Sequence, residues 1–199
     1  MTNIHPEAAF DSLTICSELQ QVTKGATENE IHLFAYLSCL LFVYKGSPPS
    51  EWRYQFIATP SVAPFSVDIS AAITELCRIG YLEEGTQGIQ ITDLGRDELE
   101  SFSGLSILAR RTPYLEGACG STLVLPLPSV TESISAEPQL HKALELSSTR
   151  PLLDEIGREA ILDHFEALSR AVPEASDLMV PAVVWLEYLA STIAPAAER

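Results

Sequence analysis

Basic residues are scarce in this chain. Its 199 residues hold 12 lysines and arginines against 27 aspartates and glutamates, a net charge of −15. Non-specific affinity for nucleic acid comes from Lys and Arg on phosphates, so this balance excludes a protein that coats DNA or RNA. Cysteine pairs are missing as well. Cys16, Cys39, Cys77 and Cys119 stand far apart and form no CxxC, which argues against a zinc site. Three of them sit in apolar helical runs, where a free thiol behaves as a small hydrophobe. There is no HExxH or ExxH, no GxGxxG and no Walker loop, so neither a metal nor a nucleotide cofactor is expected. The longest apolar run, Leu33 to Tyr44, is too short for a bilayer and contains Ser38. The opening MTNIHPEAAF has no basic region before an apolar stretch, unlike a signal peptide. A reducing cytoplasm, away from any membrane, is the expected setting.

What is present is a globular composition, 46% apolar and 20% charged. The length fits one compact domain, or a small domain with a helical extension. Ala8 to Val22 reads as a helix with a loose apolar face. Thr27 and Glu30 form a capping box. Behind it, Ile31, Phe34, Leu37, Leu41 and Tyr44 recur at helical steps, widened by Leu33 and Leu40, which predicts a largely buried helix. Trp52 to Ile57 is ambiguous between strand and short helix, and Pro60 and Pro64 suggest a loop. Ser66 is a plausible cap for a helix over Val67 to Ile79 with Ile69, Ile73 and Leu76 inward, and Gly80 suits a left-handed cap. The period then changes. Tyr81–Glu84 and Ile89–Thr92 read as two strands joined by Gly85-Thr86-Gln87-Gly88. Thr92 or Asp93 caps a helix from Leu94 to Phe102.

Beyond this the pattern is helical. Leu105 to Gly117 reads as one helix exposing Arg110 and Arg111. Ser129 and Glu132 repeat the capping-box pattern, and Pro138 starts a short helix. Pro151 suggests the start of another, through Leu153, Ile156, Ala160 and Phe165, ended by Pro173. Ser176 would cap a last helix with Met179, Val183, Leu186, Ala190 and Ile193 on one face, stopped by Pro195.

The stretch ELCRIGYLEEGTQGIQITDLGRDELE, residues 75–100, carries a resemblance. Its amphipathic helix, "GYLE" entry, glycine-tipped hairpin and following "ITDLGRDEL" resemble the end of a winged helix-turn-helix domain. An ordinary α+β hairpin insertion is the other reading. The expected class is mainly α with a small β-hairpin. Residues 1–28 would form an N-terminal helix, 29–102 a winged helix and 103–199 a helical region. More weakly, PFSVDISAAITELCRIGYLEE and RRTPYLEGACGSTLVLPLPSV resemble, in layout, the middle component of ABC-three-component (Lamassu-like) or SMC-type anti-phage defence systems. That resemblance implies a large ATPase subunit and an effector subunit as partners.

In a DNA-reading winged helix the helix before the wing enters the major groove. Here its outer residues would be Asp68, Ala71, Thr74, Glu75 and Arg78, with one base among them. The wing adds Glu83 and Glu84. Residues 29–102 carry four bases against ten acids, a local charge of −6. A protein-contact role is therefore expected, in a non-enzymatic accessory subunit that can also self-associate. The alternative is a DNA-binding winged-helix transcription regulator using Asp68, Thr74, Glu75 and Arg78.

Candidate contact residues are the adjacent pair Arg110 and Arg111, the acidic Glu83 and Glu84, and Trp185 and Tyr188 on the last helix. Arg110 and Arg111 read otherwise as a surface pair bound to Glu116 or the wing. Trp52, Tyr54 and Phe56 read better as core. Catalysis is not expected. Cys119 with His141 forms a weak dyad lacking an orienting group. Glu159, Asp163, His164 and Glu166 read as a solvated face rather than metal ligands. His5 and His32 show no carboxylate constellation nearby.

Overall fold

A computed structural model describes residues 4–59, 63–146, 148–172 and 177–193. The chain is mainly helical, with small antiparallel sheets. No helix among the described residues is long and apolar enough to cross a membrane.

Helix α1 (Pro6–Gln20) opens on a proline in its first turn, where the missing N–H costs nothing. Its loose apolar pattern has a cause: it is buried on nearly every side, Asp11, Ser12 and Thr14 included. Ser12 and Thr14 donate to the carbonyls of Ala8 and Phe10 at 2.8 and 2.9 Å, so their burial leaves no lone hydroxyl. Helix α2 (Glu28–Tyr44) begins at the capping box. Glu30 N–H donates to Thr27 Oγ1 at 3.2 Å, and Thr27 N–H donates to Glu30 Oε2 at 2.6 Å. It is buried without interruption from Ile31 to Leu41.

Helix α3 (Val67–Ile79) turns Ile69, Ala72, Ile73 and Leu76 inward and ends on Gly80, whose φ is 83°. Ser66 stands at its N-cap without a side-chain cap bond. The hairpin β3 (Leu82–Gly85) and β4 (Gly88–Ile91) follows, with Leu82 opposite Ile91. A third extended residue joins it. Ala26, between α1 and α2, exchanges both backbone hydrogen bonds with Ile89, at 2.9 and 2.7 Å. Gly88 has a φ of 116°, and a Cβ there would stand 2.7 Å from the Ala26 carbonyl oxygen, so this approach requires glycine. Helix α4 (Asp93–Ser103) is capped by Thr92, whose Oγ1 accepts Gly95 N–H at 3.1 Å.

The ambiguous Trp52–Ile57 stretch is a 3-10 turn, Pro49–Trp52, then extended chain entering β1 (Ile57–Ala58). Pro64, expected in a loop, belongs to β2 (Pro64–Phe65), an edge strand where a missing N–H is tolerated. The other edge is β5 (Arg150–Pro151), giving the antiparallel order β2–β1–β5.

Four of the helix expectations change. Leu105 to Gly117 is two helices, α5 (Ser106–Ala109) and α6 (Thr112–Gly120), broken at Arg110 and Arg111. Ser129 lies inside α7 (Leu127–Ser135), because Pro126 takes the cap position and Pro128 fits the first turn. Helix α8 (Pro138–Glu145) starts at its proline as expected. Pro151 sits in β5, and the next helix, α9, is Glu155–Ala171. The last, α10 (Met179–Ile193), buries Ala182, Trp185, Leu186 and Leu189, while Met179 and Val183 are half-buried and Ala190 is exposed. Pro60, Pro173, Ser176 and Pro195 lie outside the described residues, as do the side chains of Ile156, Ala160 and Ile193.

Helix α1 packs against α2, α3, α4, α6 and β4. One apolar core includes Phe10, Leu37, Leu76, Leu115, Phe165 and Trp185. Packing therefore continues across residue 28 and across residue 103.

Candidate interaction surface

The outer side of α3 carries Asp68, Thr74, Glu75 and Arg78 beside the hairpin. Thr74 Oγ1 donates back to the Ser70 carbonyl at 2.9 Å. Arg78 grips Glu75 with a fork, Nε to Oε2 at 2.6 Å and Nη2 to Oε1 at 2.5 Å. Those hydrogen bonds hold the Glu75 carboxyl below its ordinary range. The one base of α3 is thus committed to a carboxylate one turn away. On α4, Arg96 is similarly paired with Asp93 at 2.7 Å. Glu83 and Glu84 are exposed on β3 and form no ion pair among the described residues. The surface is acidic, and its arginines are spent on its own carboxylates.

Apolar side chains interrupt that surface. Ile79 at the end of α3 is 37% exposed and Leu94 at the start of α4 is 55% exposed. The two helix ends are joined by Thr92 Oγ1 donating to the Gly80 carbonyl at 2.7 Å. Chemically, this region offers carboxylate acceptors and two uncovered aliphatic side chains.

The arginine pair divides. Arg110 is exposed, but Arg111 is buried, contrary to the expected exposed pair. The break between α5 and α6 turns Arg111 onto α1. Its Nε and Nη2 donate to Asp11 Oδ1 and Oδ2 at 2.8 and 2.5 Å, and Nη1 donates to the Trp52 carbonyl at 3.1 Å. The guanidinium lies 3.6 Å from the centre of the Trp52 ring. Burial opposes the charge, but Asp11 outweighs it, and the guanidinium holds its proton more tightly than usual. Tyr54 donates to Asp11 Oδ2 at 2.5 Å. Trp52, Tyr54 and Phe56 are all core. The partner is neither Glu116 nor the hairpin; no local spacing pointed to Asp11, 100 residues upstream.

Trp185 is buried against Phe165, with ring centres 6.0 Å apart, so it is not a surface contact residue. Tyr188 is 49% exposed and meets His164 edge-on at 5.5 Å. Burial pushes the Cys119 thiol well above its ordinary range, which opposes thiolate chemistry. His141 faces Glu145 at 3.7 Å on the exposed side of α8. Glu166 pairs with Arg170 at 2.6 Å. Among the described residues no three His, Cys, Asp or Glu side chains group as metal ligands.

Both N-terminal histidines do have carboxylates. His5 Nδ1 is 3.2 Å from Glu7, and His32 Nε2 is 3.5 Å from Glu28. The second pair had a readable signal, four residues apart on one helix. No protein-family model, no curated protein and no solved structure matches this chain.

Proposed function

We propose that this chain is a non-catalytic accessory subunit of an ABC- or SMC-type ATPase complex, in an anti-phage defence setting. We further propose that its first half is a winged helix used for protein contact. The support for the winged helix is the order of elements. Helix α1, the extended Ala26, α2, α3 and the β3–β4 hairpin follow one another, and Ala26 pairs with β4. Helix α1 would then be the domain's first helix rather than a separate extension.

The observation that carries the contact role is the fork between Arg78 and Glu75. A recognition helix must offer its base to phosphate or guanine. Here the base is satisfied internally, the hairpin is acidic, and aliphatic side chains lie open beside it. Such a surface suits a protein partner, since desolvating Ile79 and Leu94 is favourable and the carboxylates can set register.

The test is a tagged pull-down from the native host at moderate salt, read by mass spectrometry. Stoichiometric recovery of a large ATPase is expected. Leu94→Asp should cut that recovery severalfold with an unchanged circular dichroism spectrum, because Leu94 is a surface side chain whose replacement costs little stability, within about 0.5 kcal/mol. Recovery of promoter DNA with the chain alone, lost in Arg78→Ala, would instead establish the DNA-binding regulator.

A further inference from the structure

Helix α3 starts without a side-chain cap, yet its first residues are tethered. Ser66 N–H donates to His32 Nδ1 at 3.2 Å, from the N-cap of α3 to the second turn of α2. The His32 ring is buried and lies 4.8 Å from the Phe65 ring. Its other nitrogen, Nε2, stands 3.5 Å from Glu28 Oε1, and the same oxygen accepts Ser70 Oγ at 2.8 Å. Two links therefore hold the start of α3 to α2, and both run through the His32–Glu28 pair.

The chemistry of the ring follows from the first link. A nitrogen that accepts a backbone N–H carries no proton, so His32 is neutral, with its hydrogen on Nε2, which lies near Glu28 but forms no hydrogen bond among the described residues. Adding a proton at Nδ1 removes the acceptor and sets two N–H groups against each other. The imidazolium is also drawn toward Glu28. We propose that His32 is a proton-operated latch: neutral, it fixes the start of α3 on α2, and protonated, it releases it.

Among the described residues the groups facing His32 are few. From α2 there is the Glu28 carboxylate. From the β2–α3 side there are the Ser66 N–H, the Phe65 ring and the Ser70 hydroxyl. The half-buried Cys77 thiol of α3 lies within the field of the same Glu28. Burial lowers the His32 pKa, and Glu28 opposes that in part. The latch is therefore closed at neutral pH and opens on acidification below the ordinary histidine range. It would modulate the contact face proposed above, which α3 carries, but it stands on the His32 geometry and not on that reading.

Nitrogen-15 NMR of the histidine rings tests it on the full chain. At pH 7.5 His32 should show the Nε2–H tautomer. As the ring titrates, the protection factor of the Ser66 amide should fall about two- to tenfold, the range one neutral hydrogen bond commands. The Ile89 amide, held by Ala26, should not change with it. His32→Asn places an amide oxygen near the Nδ1 position and cannot titrate, so it should keep Ser66 protected through the same pH range. An Nδ1–H tautomer would overturn the latch. So would a Ser66 protection that falls in His32→Asn as it does in the wild type. If His32→Asn does not fold, the wild-type tautomer and titration decide alone. A missing ATPase partner would leave these readings untouched.

Discussion

Asp11 and Arg111 meet inside the protein, and every hydrogen-bonding edge that faces the core is used. Both carboxylate oxygens accept from the guanidinium, Tyr54 adds a third donor, and the remaining guanidinium edge reaches the Trp52 carbonyl. A pair of this kind ties α1 to α6 and to the turn before β1. Breaking it leaves a buried carboxylate with no cation, which costs about 3–5 kcal/mol. Arg111→Met should therefore lower stability by about that amount in urea denaturation. Asp11→Ala combined with Arg111→Met should cost clearly less than the two single changes added together. Arg111→Lys should also destabilise, because a point charge cannot make the planar fork or stack on Trp52. Arg111 was visible in the sequence only as half of a basic pair. What buries it is a helix break two residues long and a partner on the first helix, and neither leaves a local spacing to read.

At the scale of elements, the same four-residue pattern meets two fates. Thr27 and Glu30 make a real capping box, while Ser129 and Glu132 sit inside α7. Thr27→Ala should cost about 1 kcal/mol. Ser129→Ala should change stability by less than about 0.5 kcal/mol, since the exposed side chain caps nothing. Thermal melts of the two variants check the contrast. The difference lies in the prolines. Pro126 and Pro128 set the chain direction before Ser129 is reached, so the helix starts three residues early.

Elements with a local mark were legible for the same kind of reason. The capping box, the left-handed Gly80 and the hairpin between Gly85 and Gly88 each fix backbone geometry on their own. The acidic hairpin was legible too, since Glu83 and Glu84 are exposed as expected. The inner face of α10 was not. Its sequence is apolar at most positions, so periodicity selects no side, and tertiary packing chose Ala182, Trp185, Leu186 and Leu189. The commitment of Arg78 to Glu75 was likewise open to the three-residue spacing but needed the side-chain geometry to establish it.

Across the whole molecule, two buried titratable groups act on stability in opposite directions. Glu137 is fully buried. Its Oε2 accepts the N–H groups of Gln139 and Leu140 at 2.9 Å each, capping α8, while Oε1 has no hydrogen-bond partner among the described residues. Burial raises its pKa to about 7, against the opposing pull of those N–H groups and of Arg150. The folded state thus holds this proton more tightly than the unfolded chain. The stability it confers is complete below the ordinary glutamate range and is lost as pH rises to about 7. His32 has the reverse sign. Its folded pKa is lowered by burial, so its stability is complete above the ordinary histidine range and is lost as pH falls. Just below the ordinary histidine range the two slopes oppose each other. Glu137→Gln removes one of them, and stability should then climb as pH rises toward the ordinary histidine range. His32→Asn removes the other, and stability should decline, by about 3 kcal/mol in all once pH passes 7. Urea midpoints taken at half-unit steps would show it. Identical pH profiles for the two variants would mean that neither group titrates from its buried position.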